Sequence, residues 1–304
     1  MGQQIGGLLV QQKVIERSKP GGFFSNFFTV LVGLEECQQK GLEPIIGVNQ
    51  VVRPSGVFTT ILGRNIVPYD FETYFHIRAI DKQQALKMPV DTSDSSHCAE
   101  LLLDRGALVV GDAYRRNLDL TPYVREIFIG VMAEMELTTR RFISAHSRFS
   151  DMSWTPSHPT PPKPTAIFSM ALSESVLLGC TVIFVSADSA KAVKKFHKRG
   201  TKQVQVLSLS HYGGRFKKDL EQDPNLQVLV EALIHSQSEA MVHSNSNVSF
   251  AARVFRGNDT WRRISFDCGT NPNSLPISVL RSGLRVFGVE HPDHVCRVSI
   301  FEAA

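Results

Sequence analysis

The most constraining feature of this sequence is an alternation that starts near residue 142 and runs to about 255. Apolar stretches too short for helices are each followed by a stretch with helical spacing. Residues 142–145 read as a strand, 165–178 as a helix, 181–186 (TVIFVS) as a buried strand and 190–198 as a helix. The pattern continues with strand 203–207, helix 225–236, short strand 240–243 and helix 247–255. A βαβα run of this kind implies a parallel sheet with right-handed crossovers. The fold class is therefore α/β.

The first half is less regular. Gly21 and Gly22 punctuate a turn, Ser25 or Asn26 can cap a helix, and Phe27, Val30, Leu31 and Leu34 recur at helical spacing before Gly41 stops it. A short strand follows at 44–48 (PIIGV), and residues 57–62 and 107–110 (ALVV) also read as strands. Residues 120–140 read as a helix capped by Thr121, with Pro122 at its first position and a stripe of Val124, Ile127, Phe128, Val131 and Met135. The domain boundary is expected at its end, giving residues 1–140 and 141–304. Beyond Gly257 the chain reads as irregular until an alternating strand at 295–301.

Composition narrows the function. With 304 residues, 42% hydrophobic, 20% charged and a net charge of +4, this is an ordinary globular protein that can hold two cores. A basic run at 191–202 lacks alternating aromatics to stack bases, so it reads as a solvated helix end and no nucleic-acid partner is expected. The five cysteines have no Cys-x-x-Cys spacing and read as buried apolar residues of a reducing compartment. No signal peptide or membrane span is evident. The expected location is cytoplasmic, unless the chain is a fragment of a membrane-anchored enzyme.

In sheets of this kind ligands sit beyond the carboxyl ends of the strands. Three strand ends carry informative residues. His146-x-Arg148-x-x-Asp151 follows the first strand, and a guanidinium there can grip two phosphate oxygens while a carboxylate fixes its fork or takes a proton. Asp188 follows TVIFVS and can accept from a ribose or base edge. Ser244-Asn245-Ser246-Asn247 follows the third strand and opens a helix, a natural anion site. Taken singly these are an ion pair, a turn residue and a helix cap. Their shared placement points to a diphosphate. Five prolines between Pro156 and Pro164 then place an extended loop, with Trp154 and His158, beside the first of the three.

The order GGFFSNF, HSRFSD, VIFVSAD and LVEALIHSQSEAMVHSNSNVS resembles the GDP-fucose-dependent fucosyltransferases of the α1,6-fucosyltransferase and nodulation group, and more loosely the protein O-fucosyltransferases. The resemblance implies a GT-B fold, two Rossmann-like domains with a donor cleft between them. It also implies an inverting, metal-independent transfer of fucose to a glycan hydroxyl, with no cofactor besides the donor. It assigns Arg148 to the β-phosphate with His146 beside it, and Asp151 to the neighbourhood of the sugar. Asp188 takes the acidic position after a strand, Glu231 contacts the nucleoside, and Ser246 meets the phosphates, within the Ser244–Asn247 turn. Gly22 and Asn26 belong to a loop closing on the donor.

Several positions depart from the pattern. Glu231 stands where an aspartate is usual, and Ser189 where a second acid is common. Met152, Ser153 and Trp154 replace the lysine and glutamate that some relatives carry after the motif. The general base is left open among Asp151, Asp70 and Glu72. A transferase of another nucleotide sugar, and a nucleotide-binding homologue without transfer activity, stay as alternatives.

Overall fold

The computed structural model describes residues 2–5, 8–15, 22–46, 49–52, 66–78, 106–148, 162–257, 261–267 and 297–301. The strand expected at 57–62, the residues from Asp151 through the start of the proline-rich loop, and Cys98, Cys268 and Cys296 lie outside these residues. Two compact units are formed: 1–127 with 223–230 and 253–257, and 128–222 with 231–252 and 258–304.

In the first unit, β1 (Gly2–Ile5) pairs antiparallel with β2 (Leu8–Ile15), which pairs parallel with β3 (Glu43–Ile46). Helix α1 (Phe23–Lys40) joins β2 to β3. Gly22, not Ser25 or Asn26, is its N-cap: Phe23 and Phe24 are already helical because both are buried in the core. Gly41 ends the helix at φ 65°, where its lack of a Cβ avoids the left-handed penalty. Gly33 lets α1 press on β2, since a Cβ there would lie 2.5 Å from Cγ2 of Ile15. Two short antiparallel pairs follow, β4 (Asn49–Val52) with β5 (Ile66–Tyr69), and β6 (Phe75–Ile77) with β7 (Leu118–Leu120).

The expected strand 107–110 is instead the start of α2 (Ala107–Asn117). Its buried residues Ala107, Val110, Gly111 and Asn117 fall at helical intervals, and Leu108 faces solvent. Four apolar residues in a row misled because the polar face begins only at Asp112. An aromatic cluster of Phe23, Phe24, Phe27, Phe75, Tyr114 and Phe255 fills this unit. Beside it the buried Glu35 carboxylate accepts from Arg116 (2.9 Å) and Asn117 (2.5 Å).

Helix α3 (Pro122–Glu134) begins as expected, with Thr121 Oγ1 accepting from Val124 N–H. It stops six residues short of the expected end. Leu137 N–H bonds Met132 O and Glu136 N–H bonds Ala133 O, with Glu136 at φ 58°, a left-handed C-terminal closure that reverses the chain.

The second unit is built on β8 (Phe142–Ser147), β9 (Val182–Ala187), β10 (Gln205–Leu207), β11 (Ala240–Ser244), β12 (Arg262–Asp267) and β13 (Arg297–Phe301). The strand order is β10-β9-β8-β11-β12-β13, parallel except for the last pair. Strand β12 falls in the stretch expected to be irregular. Its sequence hides it, because Arg262 and Arg263 open it. Arg262 pairs with the buried Glu174 at 2.5 and 3.0 Å, and Arg263 lies over the Phe301 ring.

The connections are α4 (Pro164–Leu177), α5 (Ala190–His197), α6 (Lys217–Gln222), α7 (Pro224–Ser236) and α8 (Asn247–Arg256). Alternate residues of the strands face two different layers. Ile143, Ala145, Ile183, Val185, Val242 and Ile264 pack with Ile167, Phe168 and Ala171 of α4 and Val193 and Phe196 of α5. The opposite face holds Ser144, His146, Phe184, Ser186 and Met241 against α7 and α8.

Candidate functional site

Chain order runs outward from β8 through β9 to β10, then returns to β11 on the other side of β8. The strand order therefore switches between β8 and β11, and the crevice beyond their carboxyl ends is where an open α/β sheet takes a ligand. Register fixes what stands there. His146 pairs with Ser186 and His243, and Ser147 pairs with Ala187. Arg148, Asp188 and Ser244 thus leave three adjacent strands at one edge.

The chain ties this edge together. Arg148 N–H donates to Ser244 Oγ at 3.1 Å, across the switch. Ser244 O accepts from Ser249 Oγ at 3.1 Å. Ser246 caps α8: its Oγ accepts from Ser249 N–H at 3.1 Å and its carbonyl from Phe250 N–H at 3.0 Å. The amino end of α8, with its partial positive charge, therefore opens beside the Arg148 backbone. Arg148, Asp188, Ser246 and Asn247 are partly exposed and Ser244 is buried.

Below the edge lies a polar chain that sequence reasoning did not find. Ser186 Oγ is 2.8 Å from His146 Nδ1 and 2.6 Å from His235 Nε2. Burial, with His235, Arg148 and His243 nearby, drives His146 well below its ordinary value of 6.5, and burial then His243 bring His235 to about 3. Both rings are neutral at pH 7. One serine proton serves two imidazoles, so Ser186 donates to one and accepts from the other, and the two tautomers are linked. His146 Nε2 and His235 Nδ1 are buried without a hydrogen-bond partner. Only strand pairing reveals this set; Ser186 reads as the end of an apolar run and His235 as part of an apolar helix.

The other expected residues are dispersed. Glu231 is buried within α7, in the second unit. Gly22 and Asn26 belong to the first unit, where the fully buried Asn26 donates from Nδ2 to Gly22 O at 3.2 Å. Asp70 there caps a short turn, accepting from Glu72 N–H and Thr73 Oγ1, and Glu72 is exposed. Asp151 lies outside the described residues. Among the described residues no group of three or more His, Cys, Asp or Glu side chains is arranged to hold a metal ion. None of their helices is long and apolar enough to cross a membrane.

No protein-family model matches the chain, and no curated protein matches its sequence. Solved structures do match. A NodZ alpha-1,6-fucosyltransferase soaked with GDP-fucose is 11% identical, with a TM-score of 0.50 over 97% of this chain and 100% of that one. POFUT1 in complex with GDP-fucose is 10% identical, with a TM-score of 0.50 over 80% of this chain and 93% of that one. The chain has the fold of these fucosyltransferases. The resemblance read from the order of four short motifs is thus met at the level of fold, where identity is too low for sequence comparison to carry it.

Proposed function

We propose that the protein is a glycosyltransferase that moves fucose from GDP-fucose to a glycan hydroxyl, with inversion and without a metal. The observation that carries the reading is the Arg148 N–H to Ser244 Oγ bond across the strand-order switch. It holds a guanidinium-bearing residue beside a helix start, the two kinds of group that stabilise a departing diphosphate.

In this reading the chain is a GT-B enzyme whose residues 1–140 face the acceptor and 141–304 bind the donor. Arg148 neutralises the β-phosphate as the bond to the sugar breaks. Ser244, Ser246 and Asn247 bind phosphate oxygens at the α8 start. Asp188 and Glu231 accept from the nucleoside, and Gly22 and Asn26 close on the donor. His146, neutral and buried, positions Arg148 from below. Asp151 stands nearest the sugar. No cofactor besides the donor takes part.

Thermal shift with GDP, UDP and CDP, each with Mg²⁺ and with EDTA, tests binding. Stabilisation by GDP alone, equal in both conditions, is expected. Stabilisation by none of the three would sink every nucleotide reading. Glu231, longer by a methylene than the usual aspartate, favours a second reading, a transferase for another nucleotide sugar; a stronger response to UDP or CDP would select it. Hydrolysis of GDP-fucose then tests chemistry. Arg148→Ala is expected to lose on the order of 100-fold or more in rate, as removal of a donor to developing negative charge does. A wild type no faster than the variant would leave a binding protein without transfer activity.

A further inference from the structure

Nine of the chain's 33 Lys and Arg residues, and none of its 29 Asp and Glu, fall between Ser189 and Lys218. The net charge of +4 is thus +9 in this segment set against −5 in the rest. Its densest part is α5 with the turn behind it: Lys191, Lys194, Lys195, Lys198, Arg199 and Lys202 are all exposed. Elsewhere the chain neutralises its cations readily, as with Lys13 and Lys40 on Glu36, Arg116 on Glu35 and Arg262 on Glu174. None of these six forms an ion pair with a described residue.

The helix cannot turn this face inward. Ala192, Val193 and Phe196 are buried in the core of the second unit, with Phe196 stacked on Phe168 at 5.5 Å. The cations at i, i+3, i+4 and i+7 from Lys191 therefore form a fixed stripe toward solvent.

A second observation stands at the same end of the sheet. Helices α4 and α5 pack side by side and both run back from the carboxyl to the amino ends of the parallel strands. The last turn of α4 and the turn after α5 therefore meet at the amino ends of β9 and β10, where Gln205 N–H bonds Thr181 O at 2.8 Å. Val176 is 75% exposed and Leu177 65%, the two most exposed large apolar residues among those described. An apolar pair projects next to a cluster of unneutralised cations.

We propose that this end of the second unit docks on an anionic lipid bilayer, with the α5 stripe against the headgroups and Val176 and Leu177 entering the interface. Both features are used by that partner: each cation near an anionic surface adds roughly fivefold in affinity, and the apolar tip adds a contribution that salt does not screen. A nucleic acid would use only the first. Phe196, the one Phe, Tyr or Trp between Lys191 and Lys202, is buried and offers no stacking platform among the six cations. Five of the six cations are lysines, point charges suited to a diffuse layer of headgroups more than to bidentate readout. Val176, Leu177 and the turn after α5 stand at the opposite strand ends from Arg148, and the stripe runs from Lys191, near the carboxyl edge, down the solvent side of α5 to that turn. The proposal does not depend on the transferase reading.

Co-sedimentation of the full chain with vesicles tests it. Binding is expected to phosphatidylcholine vesicles containing about a third phosphatidylserine and not to pure phosphatidylcholine, falling steeply between about 0.05 and 0.5 M salt. The triple variant Lys194→Gln, Lys198→Gln, Lys202→Gln should lose on the order of 100-fold in affinity with an unchanged thermal midpoint, since no core contact is altered. Val176→Ser with Leu177→Ser should lose about tenfold and leave the salt dependence as it was. Absence of binding to the anionic vesicles at low salt would overturn the proposal. So would vesicle binding that the triple variant retains. Binding to duplex DNA or RNA at least as tight as to vesicles, indifferent to the Val176 and Leu177 changes, would overturn it in favour of a nucleic-acid partner.

Discussion

The two faces of the second sheet use the same strands and opposite chemistry. One face buries Ile143, Ala145, Ile183 and Val185 against Ile167, Phe168 and Ala171 of α4 and Val193 and Phe196 of α5. The other, offset by one residue in each strand, buries Ser144, His146 and Ser186 against His235 and Ser238. The apolar face gains from every atom removed from water, whatever the fine geometry. The polar face gains little net from burial, because each bond formed replaces one to water, and it loses heavily when a partner is missing. What the polar face supplies is orientation: Ser186 fixes the ring planes of His146 and His235, and the contact of Ser144 with Ser238 ties β8 to the chain entering β11.

The sharpest way to break this comparison is to truncate the apolar side. Phe196 is fully buried and stacked on Phe168, so Phe196→Ala should cost about 3–5 kcal/mol in urea unfolding. Any folded variant should still give the wild-type response to GDP. A variant that keeps its stability and loses that response would reverse the roles assigned to the two faces.

Acid should act chiefly on the polar side, with a further part from His197 of α5, which burial and then His211 also hold below its ordinary value. His235 is held at about 3 and His146 well below 6.5, so each binds a proton more readily when unfolded. Stability therefore rises with pH across this range, and is lost as pH falls below about 6.5 toward 3. Each fully depressed histidine contributes about 1.4 kcal/mol per pH unit. Denaturation midpoints between pH 7 and 4 measure it, and His235→Gln should flatten the slope. An equal slope in the variant would remove His235 from the account.

The strand and helix series of the second unit was legible in the sequence because each element there has one dominant period, and the strands are too apolar to be loops. The failures share a cause, side chains whose role depends on a distant partner. Arg262 and Arg263 conceal β12 until Glu174 and Phe301 are beside them. ALVV reads as a strand until the burial of Asn117 shows a helical interval. Within the site, Arg148, Asp188 and Ser244 could be expected at strand ends from order alone. The bond between Arg148 and Ser244, and the linkage of His146 to His235 through Ser186, are properties of register. No local pattern encodes them.

A smaller effect tests that linkage. Ser186→Ala removes the proton shared by two buried imidazoles and leaves four ring nitrogens unpaired where two were. The expected cost is about 1–3 kcal/mol, below that of Phe196→Ala. Unlike that variant, it should also weaken nucleotide binding if Arg148 has the proposed donor role, because the His146 ring two residues before it is freed. Ring ¹⁵N shifts report the tautomers directly: two linked neutral forms in the wild type, independent ones in the variant. Unchanged shifts would show that the serine does not couple the rings.

The smallest effect separates satisfied polarity from coupled polarity on the same face. Ser238 Oγ donates its proton to His235 O at 2.9 Å, so in its 2.9 Å contact with Ser144 it is the acceptor and Ser144 the donor. Ser144→Ala therefore leaves no orphaned donor. Ser238 keeps its bond, and its carbonyl still accepts from Trp261 Nε1 at 2.9 Å. A cost of about 0.5–1.5 kcal/mol is expected, with nucleotide response and acid slope unaltered. If Ser144→Ala instead matched Ser186→Ala in all three measurements, burial of any polar group on this face would be the cause, and the shared proton would have no special part.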